Sequence, residues 1–222
     1  MPKPRTHKPE RPSATINLAG LRPGLSGQVT IRHADDEDHI LGVIRRSGQF
    51  YEADLLECLA RRLRHDDLVL DIGANIGNHA LFFAAVCGCR VLAIEPDPLA
   101  FVLLTENIAG NGLEGRITAL NIALGAEAGE GRMHHPDPHN LGASSVEPEA
   151  GGSIPIRTLD SLPRLRRLRL VKMDVENAEP LVLAGARKLL ASRRRPVFTA
   201  EAPTREGFLR IEALLGAAGY VA

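Results

Sequence analysis

Leu68–Gly77 reads LVLDIGANIG, an apolar segment that runs into a turn containing two glycines. The apolar half predicts a buried strand, and Gly73 and Gly77 let the backbone turn tightly and approach a ligand without a Cβ in the way. Asp71 falls at the carboxyl end of this strand. Open α/β sheets bind ligands at that end, where the strand order reverses. The segment therefore predicts a cofactor site.

A second strand with an acidic end supports this interpretation. Arg90–Ile94 is apolar and leads into Glu95, about twenty residues after the turn, where an acid can bind ribose hydroxyls. The dinucleotide fingerprint GxGxxG has glycine where this chain has Asp71. A carboxylate there repels pyrophosphate but attracts the ammonium group of an amino-acid-bearing nucleoside. The pattern favours S-adenosylmethionine over a nicotinamide cofactor.

The chain resembles the FkbM-type S-adenosylmethionine-dependent methyltransferases over about Gly48 to Tyr220. The segments that carry the resemblance are, in order, SGQFYEADLLECL, VLDIGANIGNHALFFA, AIEPDPLAFVLLTENIAGNG, RTLDSL, VKMDVENAEPLVLAGARKLL and PVFTAEA. The resemblance implies an α/β fold with the Rossmann-like class I methyltransferase sheet and helices on both faces. It also implies methyl transfer, usually to a hydroxyl oxygen of a natural product, sugar or lipid-like acceptor.

Asn177 departs from the family, which has glycine at this position. Asparagine tolerates left-handed backbone angles better than most residues, so we expect the turn to survive. A close approach of the acceptor to this backbone is less secure than with glycine. The alternative to an active enzyme is a catalytically silent cofactor-binding or assembly module with the same fold.

Length and composition indicate one catalytic domain. The 222 residues are 44% hydrophobic, which is ample for a single α/β core. We expect a disordered basic and proline-rich tail over residues 1–13, a hairpin and helix capping the core over 14–66, and the S-adenosylmethionine-binding domain over 67–222. Basic and acidic residues number 27 each, so no charge excess indicates nucleic acid, and a small hydroxylated acceptor is favoured.

Targeting signals and cysteine usage favour a cytoplasmic enzyme. No apolar run reaches the length of a membrane span, and the N-terminus lacks the apolar core of a signal peptide. The cysteines Cys58, Cys87 and Cys89 are therefore expected to be reduced thiols. The CxC pair has no matching second pair, so we predict no metal site.

The remaining secondary structure is assigned from hydrophobic pattern and turn residues. Strands are predicted at Gln28–Ile31 and Ile40–Ile44, paired as a hairpin, and at Ile117–Asn121, Leu168–Met173 and Val197–Thr199; helices are predicted at about Glu52–Arg64, Asn78–Val86, Pro98–Ala109 and Arg205–Ala218. Gly125–Gly152 is expected to be a long irregular loop over the acceptor side.

The cofactor residues follow from the glycine turn and the two strand ends. We predict that Asp71, Gly73 and Gly77 hold the methionine part and that Glu95 holds the ribose. Asn121 to Ala123, with Ala123 itself included, would line the adenine. Asn75 and Asn78 would add hydrogen bonds.

Catalytic candidates cluster after the strand Leu168–Met173. Lys172, Asp174 and Glu176 recur at a spacing of two and so share one side of the strand end, and Glu179 begins the next helix. Unpaired buried charges are costly, so these groups should pair, either to orient and deprotonate the acceptor or as a structural ion pair at a helix start.

The histidines of the predicted loop are further candidates for the general base. His134, His135 and His139 have the side chain whose ordinary pKa, about 6.5, suits proton abstraction. A solvated loop without function is the alternative.

The end of the chain bears on assembly. The last predicted helix is followed only by GYVA, whereas this fold normally ends in a further strand hairpin, which is therefore shortened or missing. The strand Val197–Thr199 would then lie at an open edge and could form a homodimer by pairing with a second copy.

Overall fold

The computed structural model describes residues 11–135, 144–163, 165–193 and 195–221. The strands are β1 Ser13–Asn17, β2 Gln28–Arg32, β3 Leu68–Ile72, β4 Arg90–Ile94, β5 Ile117–Leu120, β6 Ala123–Leu124, β7 Gly129–His134, β8 Ser145–Pro148, β9 Ile154–Arg157, β10 Leu168–Met173 and β11 Val197–Ala200. The helices are α1 His39–Ser47, α2 Ala53–Ala60, α3 Asn78–Ala85, α4 Pro98–Gly110, α5 Glu179–Ala184, α6 Arg187–Ala191 and α7 Arg205–Ala217, with a short 3₁₀ turn at Leu159–Ser161.

A parallel sheet of five strands, in the order β11-β10-β3-β4-β5, forms the centre of the fold. Its central strands are apolar and buried on both faces, as parallel strands covered by helices must be. From β3 the chain continues to β4 and β5 toward one edge of the sheet, whereas β10 and β11 lie toward the other edge. The strand order therefore reverses between β3 and β10. A crevice therefore opens at the carboxyl ends of these strands.

Helices cover both faces of this sheet, which confirms the predicted Rossmann-like α/β class. On one face Val69, Val91 and Leu170 pack in a cluster with residues of α1 to α4. On the other face Leu70 and Val171 pack in a cluster with residues of α5, α6 and α7. Successive strand residues point to opposite faces, so each strand contributes to both clusters.

The predicted pairing of Gln28–Ile31 with Ile40–Ile44 is wrong. The second segment lies in α1, because Leu41 and Ile44 sit three residues apart and are buried together on one helix face. Asp38 caps the helix by accepting a hydrogen bond from Leu41 N, and Gly48 ends it in a left-handed conformation. The partner of β2 is instead β1, in antiparallel register.

The predicted disordered tail is also too long. Pro12 O accepts a hydrogen bond from His33 N at 2.9 Å, and Ser13 begins β1, so residues 11–13 belong to the folded part. Residues 1–10 lie outside the described residues. The helix predicted at Glu52–Arg64 is shorter in the structure, ending at Ala60.

Asn107 of α4 and Asn111, the residue that caps the end of this helix, dock the β1–β2 hairpin onto the core. Asn107 Oδ1 accepts from Arg32 N at 2.8 Å, and its Nδ2 donates to Arg32 O and to Ile76 O. One helical turn later, Asn111 exchanges two hydrogen bonds with the backbone of Thr30. The two side chains thus pair with alternate residues of β2 as a neighbouring strand would.

The irregular loop predicted at Gly125–Gly152 is wrong in its described parts. It contributes β7 and β8, which join β9 and β6 in a second sheet of order β6-β9-β7-β8. Position 131 in β7 requires glycine, because a Cβ there would lie 2.8 Å from Glu147 O. Glycines in a strand hide the alternating pattern from which strands are recognised, so this sheet gives little sequence signal.

The carboxyl-terminal part ends in β11 and α7. Within the described residues β11 is an edge strand of the large sheet, next to β10. No described helix is both long and apolar enough to cross a membrane.

We expect Asn107→Leu to lower the free energy of unfolding by about 3 kcal/mol, because it leaves the buried backbone groups of Arg32 and Ile76 without partners. Urea denaturation measures this, with Thr105→Ala on the same helix as the control. Equal stability of the two variants would contradict the docking role of Asn107.

Candidate functional site

A cavity of about 450 Å³ opens at the carboxyl ends of β3, β4 and β10. It extends beneath the four-stranded sheet β6-β9-β7-β8, called the small sheet below. Glu95, Gly73 and Asn75 line one side of it, and Asp174 and Glu176 line another. Apolar residues from the start of the small sheet close it, namely Ile122, Ala123, Leu124 and Ile156. The cavity thus lies at the place that the two strand ends predict.

The glycine turn is needed for protein packing as well as for access to the cavity. Gly73 has φ +74°, and a Cβ on it would overlap the carbonyl oxygen of Asp174. Gly77 has φ +96°, and its Cβ would lie 2.8 Å from Leu104 Cδ1. Gly77 is absent from the cavity lining. The close approach predicted between Gly73 and a ligand is, in the structure, a close approach between Gly73 and the backbone of Asp174, just after β10.

Glu95 is held rigidly at the wall of the cavity. Its Oε2 accepts from Asn75 N at 2.7 Å and its Oε1 accepts from Asp97 N at 2.8 Å. The residue is only 6% exposed. Burial raises its pKa to about 7, although the two backbone hydrogen bonds act in the opposite direction. Each carboxylate oxygen keeps acceptor capacity for a ligand hydroxyl.

Three further predicted cofactor residues, Asn121, Ala123 and Asn75, differ in their placement. Asn121 is absent from the lining, and its Nδ2 donates to Glu95 O at 2.8 Å and to Pro96 O at 3.0 Å, so it fixes the end of β4. Ala123 lines the cavity with Ile122. Asn75 also lines it, with φ +48° and a buried Oδ1 that accepts no hydrogen bond within the described residues.

Asp71 lies below the cavity rather than in its wall. The residue is 0% exposed, and Lys172 Nζ stands 3.5 Å from its Oδ1. The two residues are register partners on β3 and β10. Direct contact of Asp71 with a ligand, as the sequence predicted, is replaced in the structure by contact with Lys172.

Lys172 joins this buried carboxylate to the cavity. Its Nζ donates to Gly73 O at 3.1 Å and to Asp174 Oδ2 at 3.4 Å. Burial lowers the pKa of the ammonium group, but Asp71 and Asp174 outweigh burial, so the pKa is raised. Lys172 therefore stays ionised while only 6% exposed.

Asp174 and Glu176 are the two catalytic candidates that line the cavity. Burial raises the pKa of Asp174, but the charge of Lys172 is among the effects that outweigh it, so the net shift is downward. The pKa of Glu176 is raised by burial and by the nearby Asp174 and Glu179. Glu176 and Asn177 both have positive φ, +52° and +73°, so Asn177 preserves the left-handed turn.

Two of the predicted site residues have hydrogen bonds that mark them as structural. Glu179 is 1% exposed, and its Oε1 accepts from Val175 N at 2.9 Å, which closes the turn before α5. Asn78 exchanges two hydrogen bonds of 3.0 Å with the backbone of Tyr51. Neither residue lines the cavity.

Glu52, next to Tyr51, and its partner His79 were not among the predicted site residues. Glu52 has φ +58°, and its Oε2 lies 3.1 Å from His79 Nε2. The pKa of Glu52 is lowered, first of all by hydrogen bonding to His79. Glu201 follows β11 beside Asp174 and is also new. The strand Val197–Thr199 was predicted. Pairing it in parallel with Leu168–Met173 would have placed Glu201 next to Asp174.

The predicted histidine bases that the structure describes are not among the lining residues, although His135 contacts Ser144, which lines the cavity. His135 Nδ1 is 2.8 Å from Ser144 Oγ and 3.5 Å from Asp97 Oδ2, and His134 ends β7. Neither lines the cavity. His139 lies outside the described residues.

The cysteines lie outside the cavity lining. Cys87 and Cys89 are buried, which raises their pKa values to about 11 and about 12, so they are protonated and unreactive at neutral pH. Across the described ranges, no three His, Cys, Asp or Glu side chains are grouped as metal ligands.

The comparisons with known proteins agree with this geometry. The Methyltransferase FkbM domain matches residues 71–222. The hexuronic acid methyltransferase AglP of Haloferax volcanii is 32% identical over 64% of this chain and 59% of its own length. The 31-O-demethyl-FK506 methyltransferase FkbM of Streptomyces tacrolimicus is 32% identical over 71% of this chain and 74% of its own length.

A solved structure supports the fold alone. The precorrin-6y C5,15-methyltransferase of Geobacter metallireducens superposes with a TM-score of 0.50 at 14% identity, covering 76% of this chain and 72% of that chain. The present chain thus spans a little over half of the length of AglP and about three quarters of FkbM.

We expect Glu95 to make stability depend on pH. Its pKa is about 7 in the folded chain against an ordinary 4.5, so folding favours the protonated form, and this stabilisation is lost as the pH rises from 4.5 through 7. Between pH 4 and pH 8 the wild type should lose about 3 kcal/mol relative to Glu95→Gln. Urea denaturation at a series of pH values measures the difference, and a difference that is independent of pH would contradict the shift.

Proposed function

Because the chain belongs to the FkbM methyltransferase family, we propose that it transfers a methyl group from S-adenosylmethionine to a hydroxyl oxygen of a small molecule, sugar or natural product. The observation that carries the proposal is the cavity at the carboxyl ends of β3, β4 and β10, with the buried Glu95 in its wall. The cofactor is S-adenosylmethionine.

The residues present fit this cofactor. Glu95 would accept the ribose hydroxyls, since its two oxygens are oriented by backbone hydrogen bonds and retain acceptor capacity. Ile122 and Ala123 offer an apolar surface to the adenine. The buried Oδ1 of Asn75, which accepts no hydrogen bond from the described residues, supplies a further acceptor at the cavity wall.

The methionine end would lie toward Gly73 and Asp174, where a carboxylate faces the cavity. Asp71 contributes here by holding Lys172, which in turn donates to Gly73 O and to Asp174. A carboxylate at this end complements the ammonium group of the methionine part.

When bound, S-adenosylmethionine supplies a methyl group attached to a positively charged sulfur. The protein's task is then chiefly to position the acceptor oxygen, which can contribute a large part of the rate enhancement. Asp174 and Glu176 face the space where the acceptor would enter, and Lys172 fixes Asp174. Lys172, Asp174 and Glu176 would orient the acceptor and help to deprotonate it, and Glu179 would hold their turn.

The relatives and the composition support this acceptor class. One relative is named for a hexuronic acid and the other for an O-demethylated natural product, both oxygen-bearing small molecules. The balance of 27 basic and 27 acidic residues supports such an acceptor rather than nucleic acid or a membrane surface. Cytoplasmic location and a homodimer through the β11 edge stay predictions. A monomeric mass in light scattering would contradict the homodimer.

Calorimetric titration tests the cofactor site. The purified chain should bind S-adenosylhomocysteine in the micromolar range and should not bind NADH. Glu95→Ala should weaken binding by about 10- to 100-fold, the equivalent of losing hydrogen bonds to an ionised acceptor. Glu114→Gln, an exposed change outside the cavity, is the control. Unchanged affinity in Glu95→Ala would contradict the site.

The transfer itself is tested with labelled S-adenosylmethionine and a panel of hydroxylated acceptors, including hexuronic acids and 31-O-demethyl-FK506. A methyl ether on an acceptor oxygen is the expected product. Cofactor binding without transfer to any acceptor would favour the silent module.

A further inference from the structure

Glu201 lies beside Asp174 because two parallel strands end together. Met173 on β10 is the register partner of Ala200 on β11, so the next residues, Asp174 and Glu201, leave the sheet side by side. Glu201 N donates to Met173 O at 3.0 Å, which extends the pairing of the strands by one residue. The backbone therefore fixes the proximity of the two carboxyl groups.

The two side chains have different surroundings. Asp174 lines the cavity, and its side chain is 33% exposed. Glu201 is absent from the lining and is exposed to solvent. One carboxyl group of the pair therefore faces the cavity and the other faces solvent.

The electrostatics of the pair are those of two acids that share one proton. The pKa of Glu201 is raised to about 7, chiefly by hydrogen bonding to Asp174 and by its charge, while that of Asp174 is lowered. Two carboxylates in contact cannot both ionise without repulsion, so the pair holds a proton at a higher pH than a single acid does. The other titratable groups that act on the pair from neighbouring elements are Lys172, Glu176, Glu52, His79 and Tyr51.

Asp174 alone would be a weak base. Lys172 stabilises its ionised form, and a base works best when its pKa is near the operating pH. Contact with a second carboxylate raises the proton affinity of the pair into that range. The exposed partner then offers a route by which the proton leaves the site.

We propose that Asp174 and Glu201 act as one carboxyl pair, in which Asp174 takes the proton of the acceptor hydroxyl and Glu201 shares it and releases it to solvent. This inference rests on the proposed function. The acceptor oxygen forms a bond to the methyl carbon, and the carbon–sulfur bond breaks with its electron pair going to sulfur. The hydroxyl proton passes to the pair, so the products are the methyl ether, S-adenosylhomocysteine and one proton released to water.

The first test uses the unliganded chain. Carboxyl carbons are titrated by NMR in the wild type and in Asp174→Asn. We expect the Glu201 carboxyl to titrate near pH 7 in the wild type and to return toward its ordinary value of 4.5 in the variant. A wild-type Glu201 that titrates near 4.5, or one that Asp174→Asn leaves unchanged, would overturn the pairing.

The second test is kinetic and uses Glu201→Gln, with Glu212→Gln on the exposed side of α7 as the matched control. Glu201→Gln should leave the affinity for S-adenosylhomocysteine and the unfolding midpoint unchanged. It should lower kcat by about tenfold near pH 7, because Asp174 alone is the weaker base, and should change the ionisation near pH 7 in the kcat profile by removing the contribution of the pair. The control should retain the wild-type profile.

The outcomes separate the two proposals. If Glu201→Gln keeps the wild-type kcat and the wild-type pH profile while transfer proceeds, the proton role of the pair is overturned and the proposed function stands. If the wild-type chain binds no S-adenosylhomocysteine and methylates no acceptor, the proposed function fails and the proton role fails with it, whereas the NMR titration still decides whether the carboxyl groups pair.

Discussion

The site depends on the ion pairs and the hydrogen bond that the buried ammonium group of Lys172 makes. This group lies between Asp71 on β3 and Asp174 at the end of β10, within 3.5 Å of both, and donates to the carbonyl of Gly73. A charge removed from water costs several kcal/mol unless partners compensate it. The carboxylates and the carbonyl are thus held in place by one cation. Asp71 is 0% exposed, so the group that links the sheet core to the cavity is an ion pair rather than an apolar contact.

This arrangement gives the two sides of the cavity different chemistry. At the end of β4, Glu95 is buried, no residue in the described part of the chain forms a salt bridge with it, and its pKa is about 7; its oxygens are aligned by backbone amides. At the end of β10, Asp174 is kept ionised by Lys172 and contacts the exposed Glu201. One side suits neutral hydroxyl donors such as ribose, and the other suits a cationic group and a departing proton. A nucleoside with a charged amino-acid end spans both.

The central sheet was predictable because the hydrophobic pattern of its strands is visible in the sequence. Arg90–Ile94 and Leu168–Met173 agree with the structure at both ends, since each is a largely apolar segment that ends just before an acidic residue, Glu95 or Asp174. Of the predicted site residues, Glu95, Gly73, Asn75, Ala123, Asp174 and Glu176 line the cavity, and their roles there stay predictions. Other parts depended on partners distant in sequence. Ile40–Ile44 suits a strand or a helix until Asp38 and Gly48 are recognised as its caps. Asn78 looks like a ligand residue until Tyr51 is placed against it. Asp71 looks exposed until Lys172 occupies the register position beside it.

The most direct test of this account is a double-mutant cycle on Asp71 and Lys172, measured as the free energy of unfolding at pH 7. Asp71→Asn and Lys172→Met should each lower it by about 3–5 kcal/mol, because each leaves a buried charge without its partner. The double variant should lose about 2–3 kcal/mol less than the sum of the single losses. Single losses that add to within about 0.5 kcal/mol would show that the two charges do not depend on one another, and would contradict the account.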